Sequence, residues 1–263
     1  MTDTQLTLFR GWDAPTSYVW SPFVTKLEFR LRLATLPYKP AAGSPKSAPT
    51  GKIPYISLTT SSGVTKMGDS ALITAHLASL SLLTDLNARL SASSRAHDAG
   101  LKALLEDRLY FFNMRERWLD PVNFYAQRDH VLHAVPYPIR VVIGAKIYRS
   151  HISTLHDLGV GRYSDAEVVA FQEEVWMALE DMLAESLAKA DEKGLDGERR
   201  CFWCLGGTEP TECDTTVFGF VSSMLVATSS PRSRKFVVGL PSMMEYVNRI
   251  HETYFADYEK WEE

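Results

Sequence analysis

Residues Gln5 to Trp12, with apolar Leu6, Leu8, Phe9 and Trp12 among polar neighbours, read as a first strand. A polar, proline-containing loop follows over residues 13–20. Ser21-Pro22 then reads as a helix start, with serine at the N-cap and proline at the first helical position. Val24, Leu27, Leu31 and Ala34 recur at spacings of three and four along it, and Leu36-Pro37 ends it. A short second strand is expected around Tyr38. Residues 40–51 are rich in Pro, Gly, Ser and Ala and read as a loop. Two strands then flank the turn Ser61-Ser62-Gly63. A helix opens at Asp69 with Ala71, Leu72, Ile73, Ala75, Leu77 and Leu80, closing near Leu83.

Beyond the polar linker at residues 91–95 the pattern is helical throughout. Leu101, Leu104, Leu105, Leu109 and Phe112 form a stripe that stops before Pro121, and Pro136 and Pro138 punctuate the centre. Ser164 with Glu167, and Thr211 with Asp214, have capping-box spacing. Each precedes an apolar stripe: Val168, Phe171, Val175, Leu179 and Met182 in one case, Val217, Val221 and Leu225 in the other. A last helix is expected from near Pro241, carrying Val247, Ile250, Tyr254 and Tyr258.

At 263 residues, 45% hydrophobic and 23% charged, the chain has the composition of a globular protein of one large or two smaller domains. A net charge of −4 gives no electrostatic case for nucleic acid. The basic cluster Arg232-Ser233-Arg234-Lys235 reads as a solvated loop. The polar N-terminus lacks a signal-peptide layout, and the apolar run Ile139–Ile147 is too short to span a bilayer. Three cysteines give no disulfide framework and favour a reducing compartment, so a cytoplasmic location is expected.

The chemistry concentrates in Gly51-Lys52-Ile53-Pro54-Tyr55-Ile56. Proline donates no ladder hydrogen bond and is confined to strand edges, starts or bulges. Ile53-Pro54 is a candidate cis bond, which would leave the backbone of Ile53 free to pair with a ligand. Asp69-Ser70, at a helix N-terminus, offers unpaired N–H groups and partial positive charge to a carboxylate. The bland alternative is a hairpin with an edge proline and a capped helix. Other clusters are weaker. Cys201, Cys204 and Cys213 lack a fourth ligand for a structural zinc site, and His130 with His133 lacks a third, so no metal is expected. Tyr110, Phe111, Phe112, Trp118, Phe124 and Tyr125 either line an apolar cleft or fill a helical core.

These segments resemble the glutathione transferase-like superfamily over nearly the whole chain. The first-helix residues Ser21 to Glu28 and Arg32 to Tyr38, with Gly51 to Ile56 and Asp69-Ser70, are similar to the branch containing metaxins and failed-axon-connections proteins. So are Leu158 to Ser164 with Glu167, and Leu205 to Thr211 with Asp214 and Val217-Phe218-Gly219. The resemblance implies an α/β thioredoxin-like N-terminal domain to residue 84 and an all-α glutathione transferase-like C-terminal domain over residues 92–263. Glutathione would serve as co-substrate, with its thiol at the start of the first helix. A small hydrophobic substrate would occupy the cleft, and a homodimer is common for the fold. Where related proteins carry Cys-Pro-x-Cys this chain has Ser21-Pro22-Phe23-Val24, which excludes disulfide exchange there. Cysteine often stands at the Val24 position in that branch, a departure that favours a non-catalytic scaffold as the alternative reading.

On this resemblance Ser21 is the candidate donor to the glutathione thiolate, or else a plain helix cap. Ser17 and Tyr18 are rival hydroxyls. Asp69 and Ser70 would meet the γ-glutamyl end, Ile53-Pro54 the peptide backbone, and Lys52 the glycyl carboxylate. Arg162 is expected to tie its loop to the core.

Overall fold

The computed structural model describes residues 4–192 and 202–262. Four strands, β1 (Gln5–Phe9), β2 (Lys39–Ala41), β3 (Tyr55–Thr60) and β4 (Gly63–Gly68), form one sheet in the order β2-β1-β3-β4. β1 and β2 run parallel through the crossover helix α1 (Pro22–Leu33), whereas β3 is antiparallel to both β1 and β4. The register sets Leu6 against Leu58 and Leu8 against Ile56. These four pack on Leu27 and Leu31 of α1 and on Ile73 and Leu77 of α2 (Ser70–Ser79). A mixed sheet with this crossover is the thioredoxin-like arrangement expected. β1 ends at Phe9, short of the expected Trp12, because Gly11 turns the chain at a φ of +80°.

The rest is helical. α3 (Ala92–Ala103) runs through a π-helical stretch, Leu104–Leu109, into α4 (Tyr110–Leu119). α5 (Pro121–Val131), α6 (Tyr137–Asp157), α7 (Asp165–Glu192), α8 (Glu212–Val226), α9 (Pro231–Val238) and α10 (Pro241–Tyr254) follow. Both expected capping boxes form. Glu167 accepts from Ser164 N at 2.7 Å, and Asp214 accepts from Thr211 N at 2.7 Å. No described helix is long and apolar enough to cross a membrane.

Three expectations change. Arg232 to Lys235 lie inside α9, not in a solvated loop, and Ser233 is buried against Glu116. Tyr258 falls beyond the end of α10, yet it is buried and hydrogen-bonds Glu28 at 2.7 Å. Arg115, not Arg162, ties the 160s loop down, donating to Val160 O and Asp165 at 2.8 Å each, while Arg162 is exposed.

α1 is the seam of the molecule. Leu27 and Leu31 face the sheet, while Phe29 joins the large helical core around Trp176, Phe218 and Tyr246. α8 lies along α1 so closely that a Cβ on Gly219 would sit 2.5 Å from Pro22 O and 2.9 Å from Lys26 N. Four charged residues of α1 reach across the seam. Lys26 meets Glu106 of the π-helical stretch at 2.5 Å, and Arg30 meets Glu212 at 2.8 Å. Arg32 pairs with Asp257. Glu28 receives Arg10, Tyr258 and Tyr38, with Arg10 Nε at 2.8 Å but off line for a hydrogen bond, so that contact is an ion pair.

Candidate functional site

The sheet register gathers the expected binding segments at one end. Phe9 pairs with Tyr55 and Tyr55 with Gly68, so the chain just before β3 lies between the exit of β1 and the start of α2. The Ile53-Pro54 bond is cis. Gly11 approaches Ile53 so nearly that a Cβ there would lie 2.0 Å from Ile53 Cδ1. Asp69 caps α2, its Oδ1 accepting from Ala71 N at 2.9 Å and Leu72 N at 3.1 Å. It does so at φ +76° and ψ 121°, a conformation that a non-glycine residue holds only at a cost. Ser70 is buried beneath it.

Ser21 stands at the N-terminus of α1 with extended backbone (φ −86°, ψ 116°), and its hydroxyl makes no capping hydrogen bond. The helix is started by Pro22 instead. The serine side chain opens on a cavity of about 270 Å³ between the sheet end and α4, α5 and α8. That lies just under the roughly 300–1,000 Å³ typical of drug-sized ligand pockets. Ile53 also lines it, as do Tyr110 and Trp118 among the aromatics singled out from the sequence. Phe112 instead fills the core, Phe111 and Phe124 pack against it, and Tyr125 is exposed.

The remaining expected residues do not line this cavity. Pro54 is buried beneath its rim, and Lys52, Asp69 and Ser70 belong to the sheet end beside it. Ser17 pairs by its backbone with Glu259, and its carbonyl accepts from Arg10 at 2.5 Å. Tyr18 is turned away altogether. Its hydroxyl is 2.9 Å from His251 Nδ1, and its ring sits among Phe218, Phe255, Tyr258 and Trp261. Burial pushes its phenol far above the usual range. This hydroxyl is therefore structural and not a rival to Ser21.

The cavity's other walls bring together residues that sequence reasoning had not assigned to this site. His130 is stacked between Trp20, at 3.5 Å and 3°, and Trp12, at 3.9 Å and 9°; His133 leans on Trp12 at 3.8 Å. Burial, helped by the nearby His133 and Arg117 charges, pulls His130 down to about 4. It is neutral at pH 7. Arg117 of α4 is buried, with no carboxylate in ion-pair contact among the described residues. Burial brings it down to about 10, so it stays charged. The signal was the helix face Tyr110, Asn113, Met114, Arg117 and Trp118, spaced by three and four, where polar residues interrupt an apolar row.

Cys204, Cys213 and Asp214 come within 4.8 Å of one another and are all buried. Asp214 is already saturated. Oδ1 accepts from Cys204 N and Tyr246 OH at 2.8 and 2.9 Å, and Oδ2 from Thr211 N and Oγ1 at 2.7 and 3.0 Å. Burial pushes the Cys204 thiol well up, so it stays protonated. This donor set is a helix cap and does not fit a cation. Cys201 lies outside the described residues.

Residues 22–123 match the glutathione S-transferase N-terminal domain family. Among solved structures, the chain is similar to a glutathione transferase family member from Pseudomonas fluorescens pf-5 with two glutathione bound, at 14% identity and a TM-score of 0.56, covering 95% of this chain and 90% of that one. It is also similar to a glutathione transferase from Phanerochaete chrysosporium, at 14% identity and a TM-score of 0.55, covering 98% and 99%. A glutathione S-transferase from Rhodospirillum rubrum F11 matches at 15% identity and a TM-score of 0.52, covering 95% and 90%. Identities this low carry the fold alone. The fold is that of the glutathione transferases, and the matched segment together with it supports the glutathione transferase-like superfamily.

Proposed function

We propose that this protein binds reduced glutathione and stabilises its thiolate for attack on a small hydrophobic electrophile. The observation that carries the reading is the Ser21 hydroxyl, which leaves its own helix uncapped and faces the cavity beside Ile53. A free thiol titrates near ~8.5, and lowering it by two units needs roughly 2.7 kcal/mol. One hydrogen bond to a charged group contributes about 1.5–3 kcal/mol, and a helix N-terminus about 0.3–1. Ser21 at the start of α1 supplies both. The backbone of Ile53 would pair with the peptide, Asp69 and Ser70 would receive the γ-glutamyl end, and Lys52 the glycyl carboxylate. The costly φ of Asp69 supports this, since such strain concentrates at ligand sites.

Conjugation, isomerisation and thiolytic elimination all begin from the same thiolate. The proposal extends to a glutathione-binding domain over residues 1–84 and a helical domain over 92–263. It extends also to a cytoplasmic homodimer within the metaxin and failed-axon-connections branch. A purely structural scaffold would have its cleft filled, and the open cavity beside Ser21 counts against that alternative.

Calorimetric titration with reduced glutathione tests the reading. Micromolar-to-millimolar binding, weakened in Asp69→Ala and Ser70→Ala, is expected. Ser21→Ala should retain most of that affinity, yet raise the bound thiol's pKa by about one to two units, read from ultraviolet thiolate absorbance. No binding, or an unchanged thiol pKa in Ser21→Ala, would overturn it.

A further inference from the structure

Three polar side chains on the cavity wall, Arg117, Asn113 and Gln127, have donors to spare. Arg117 has five N–H bonds to place. Nε donates to Ser230 Oγ at 2.7 Å, Nη1 to Trp20 O at 3.0 Å, and Nη2 to Ser223 O and Oγ at 3.2 and 3.0 Å. One N–H of Nη1 has no acceptor among the described residues. None of these acceptors is charged. The adjacent carboxylate, Glu116, is held by Arg232, Gln172 and Ser233.

Two amides that line the cavity have their carbonyls engaged elsewhere. Arg232 can only donate, and it donates to Gln172 Oε1 at 2.7 Å. That fixes Gln172 Nε2 as the donor to Asn113 Oδ1, at 2.9 Å, and leaves the Asn113 NH₂ without an acceptor among the described residues. Gln127 Oε1 accepts from Ser229 Oγ at 2.6 Å, leaving its NH₂ in the same state. No Asp or Glu is among the described residues that line the cavity, whose other walls include the indoles of Trp12, Trp20 and Trp118. Such a lining discriminates by charge. An anionic acceptor gains charge-assisted hydrogen bonds, whereas a neutral apolar molecule leaves buried donors unpaired.

We propose that the cavity selects an electrophile bearing a carboxylate, received by Arg117 with Asn113 and Gln127, its flat unsaturated body lying against the indoles. This deepens the transferase reading and rests on it. The carboxylate has two possible sources, the second substrate or glutathione itself, and the proposal assigns it to the second substrate.

The test compares trans-cinnamate with cinnamamide, its neutral counterpart of the same shape, by quenching of tryptophan fluorescence with and without saturating glutathione. Cinnamate is expected to bind about thirtyfold more tightly, the order of one hydrogen bond to a charged group, and glutathione should not displace it. In Arg117→Gln the preference should fall below about threefold. Equal affinities in the wild type overturn the proposal whether or not the variant folds. Displacement of cinnamate by glutathione also overturns it, because the donors then serve the tripeptide. A cinnamate preference in a protein that shows no calorimetric binding of glutathione removes the transferase reading while supporting the carboxylate-selective cavity.

Discussion

Gly219 sets how deeply α1 and α8 approach each other, and replacing it with alanine tests the seam on which Ser21 stands. The added Cβ would lie 2.5 Å from Pro22 O, 2.9 Å from Lys26 N and 3.1 Å from Lys26 Cβ. Two of these three atoms are backbone, so the strain cannot be relieved by turning a side chain. The helices must part by several tenths of an ångström, which costs about 1–3 kcal/mol by analogy with overpacked cores. Alanine regains about 0.8–1 kcal/mol of helix propensity over glycine. The exchange of Gly219 for Ala should therefore destabilise by up to about 2 kcal/mol, lowering Tm by about 2–4 °C per kcal/mol in a chain of this size. Gly100→Ala, in the exposed α3 with nothing within 4 Å, is the control, because it keeps the propensity gain without the clash. Thermal unfolding followed by far-ultraviolet circular dichroism reads both. A Tm for Gly219→Ala that equals or exceeds that of Gly100→Ala would show that the seam yields, and the reasoning would fail.

Asp69 both caps α2 and holds a positive φ, so Asp69→Ala should lose about 0.5–2 kcal/mol of capping and retain a backbone cost of about 1–2 kcal/mol without a polar side chain to offset it. Asp69→Gly should be the more stable of the two in urea melts; the reverse order would refute the strain argument. His130 stays neutral to about 4, whereas an unfolded histidine binds its proton near 6.5. Between those values the unfolded state holds more protons, so stability should fall as pH drops from 6.5 towards 4. His151 and His251 are lowered in the same direction by burial, so His130→Asn should flatten the dependence of Tm on pH without abolishing it. Identical slopes in the two proteins would exclude His130 as a contributor.

The geometry at the sheet end was legible in the sequence because each part depends on a local rule. A proline at a strand start, an aspartate before an apolar helix and two capping boxes mark their own positions within a few residues of chain. The polar side of the cavity left only one local trace, the polar breaks in the helix face from Tyr110 to Trp118. Asn113, Arg117 and Gln127 come from two helices; Arg232 through Gln172 sets which way the Asn113 amide turns, and Ser229 holds the Gln127 carbonyl, all far along the chain. Tyr18 misled for the same reason. Its place in the loop before α1 suggests a catalytic hydroxyl, and only the return of the chain at His251 and Trp261 makes it a buried packing group.

α1 shows how the two kinds of information meet. Every residue from Val24 to Leu31 is buried, which the three-and-four spacing of its apolar positions cannot predict. The spacing reports the face turned to the sheet. Its other face carries Lys26, Arg30 and Arg32, whose partners at Glu106, Glu212 and Asp257 lie in the helical half. Buried pairs of this kind do not guarantee stability, since desolvation offsets much of their attraction, but losing one partner strands the other. Their consequence is positional. With charged contacts along its length and Gly219 pressed against its first turns, α1 has one depth and one axial setting between the two halves. Ser21 stands at the head of that helix, so the same contacts that join the halves fix its hydroxyl relative to Arg117, whose Nη1 is bonded to the carbonyl of Trp20, the residue before it. The Ser21 hydroxyl and the Arg117 guanidinium are thus tied one residue apart through a single backbone carbonyl. A change that loosens the seam should therefore disturb both ends of the cavity together.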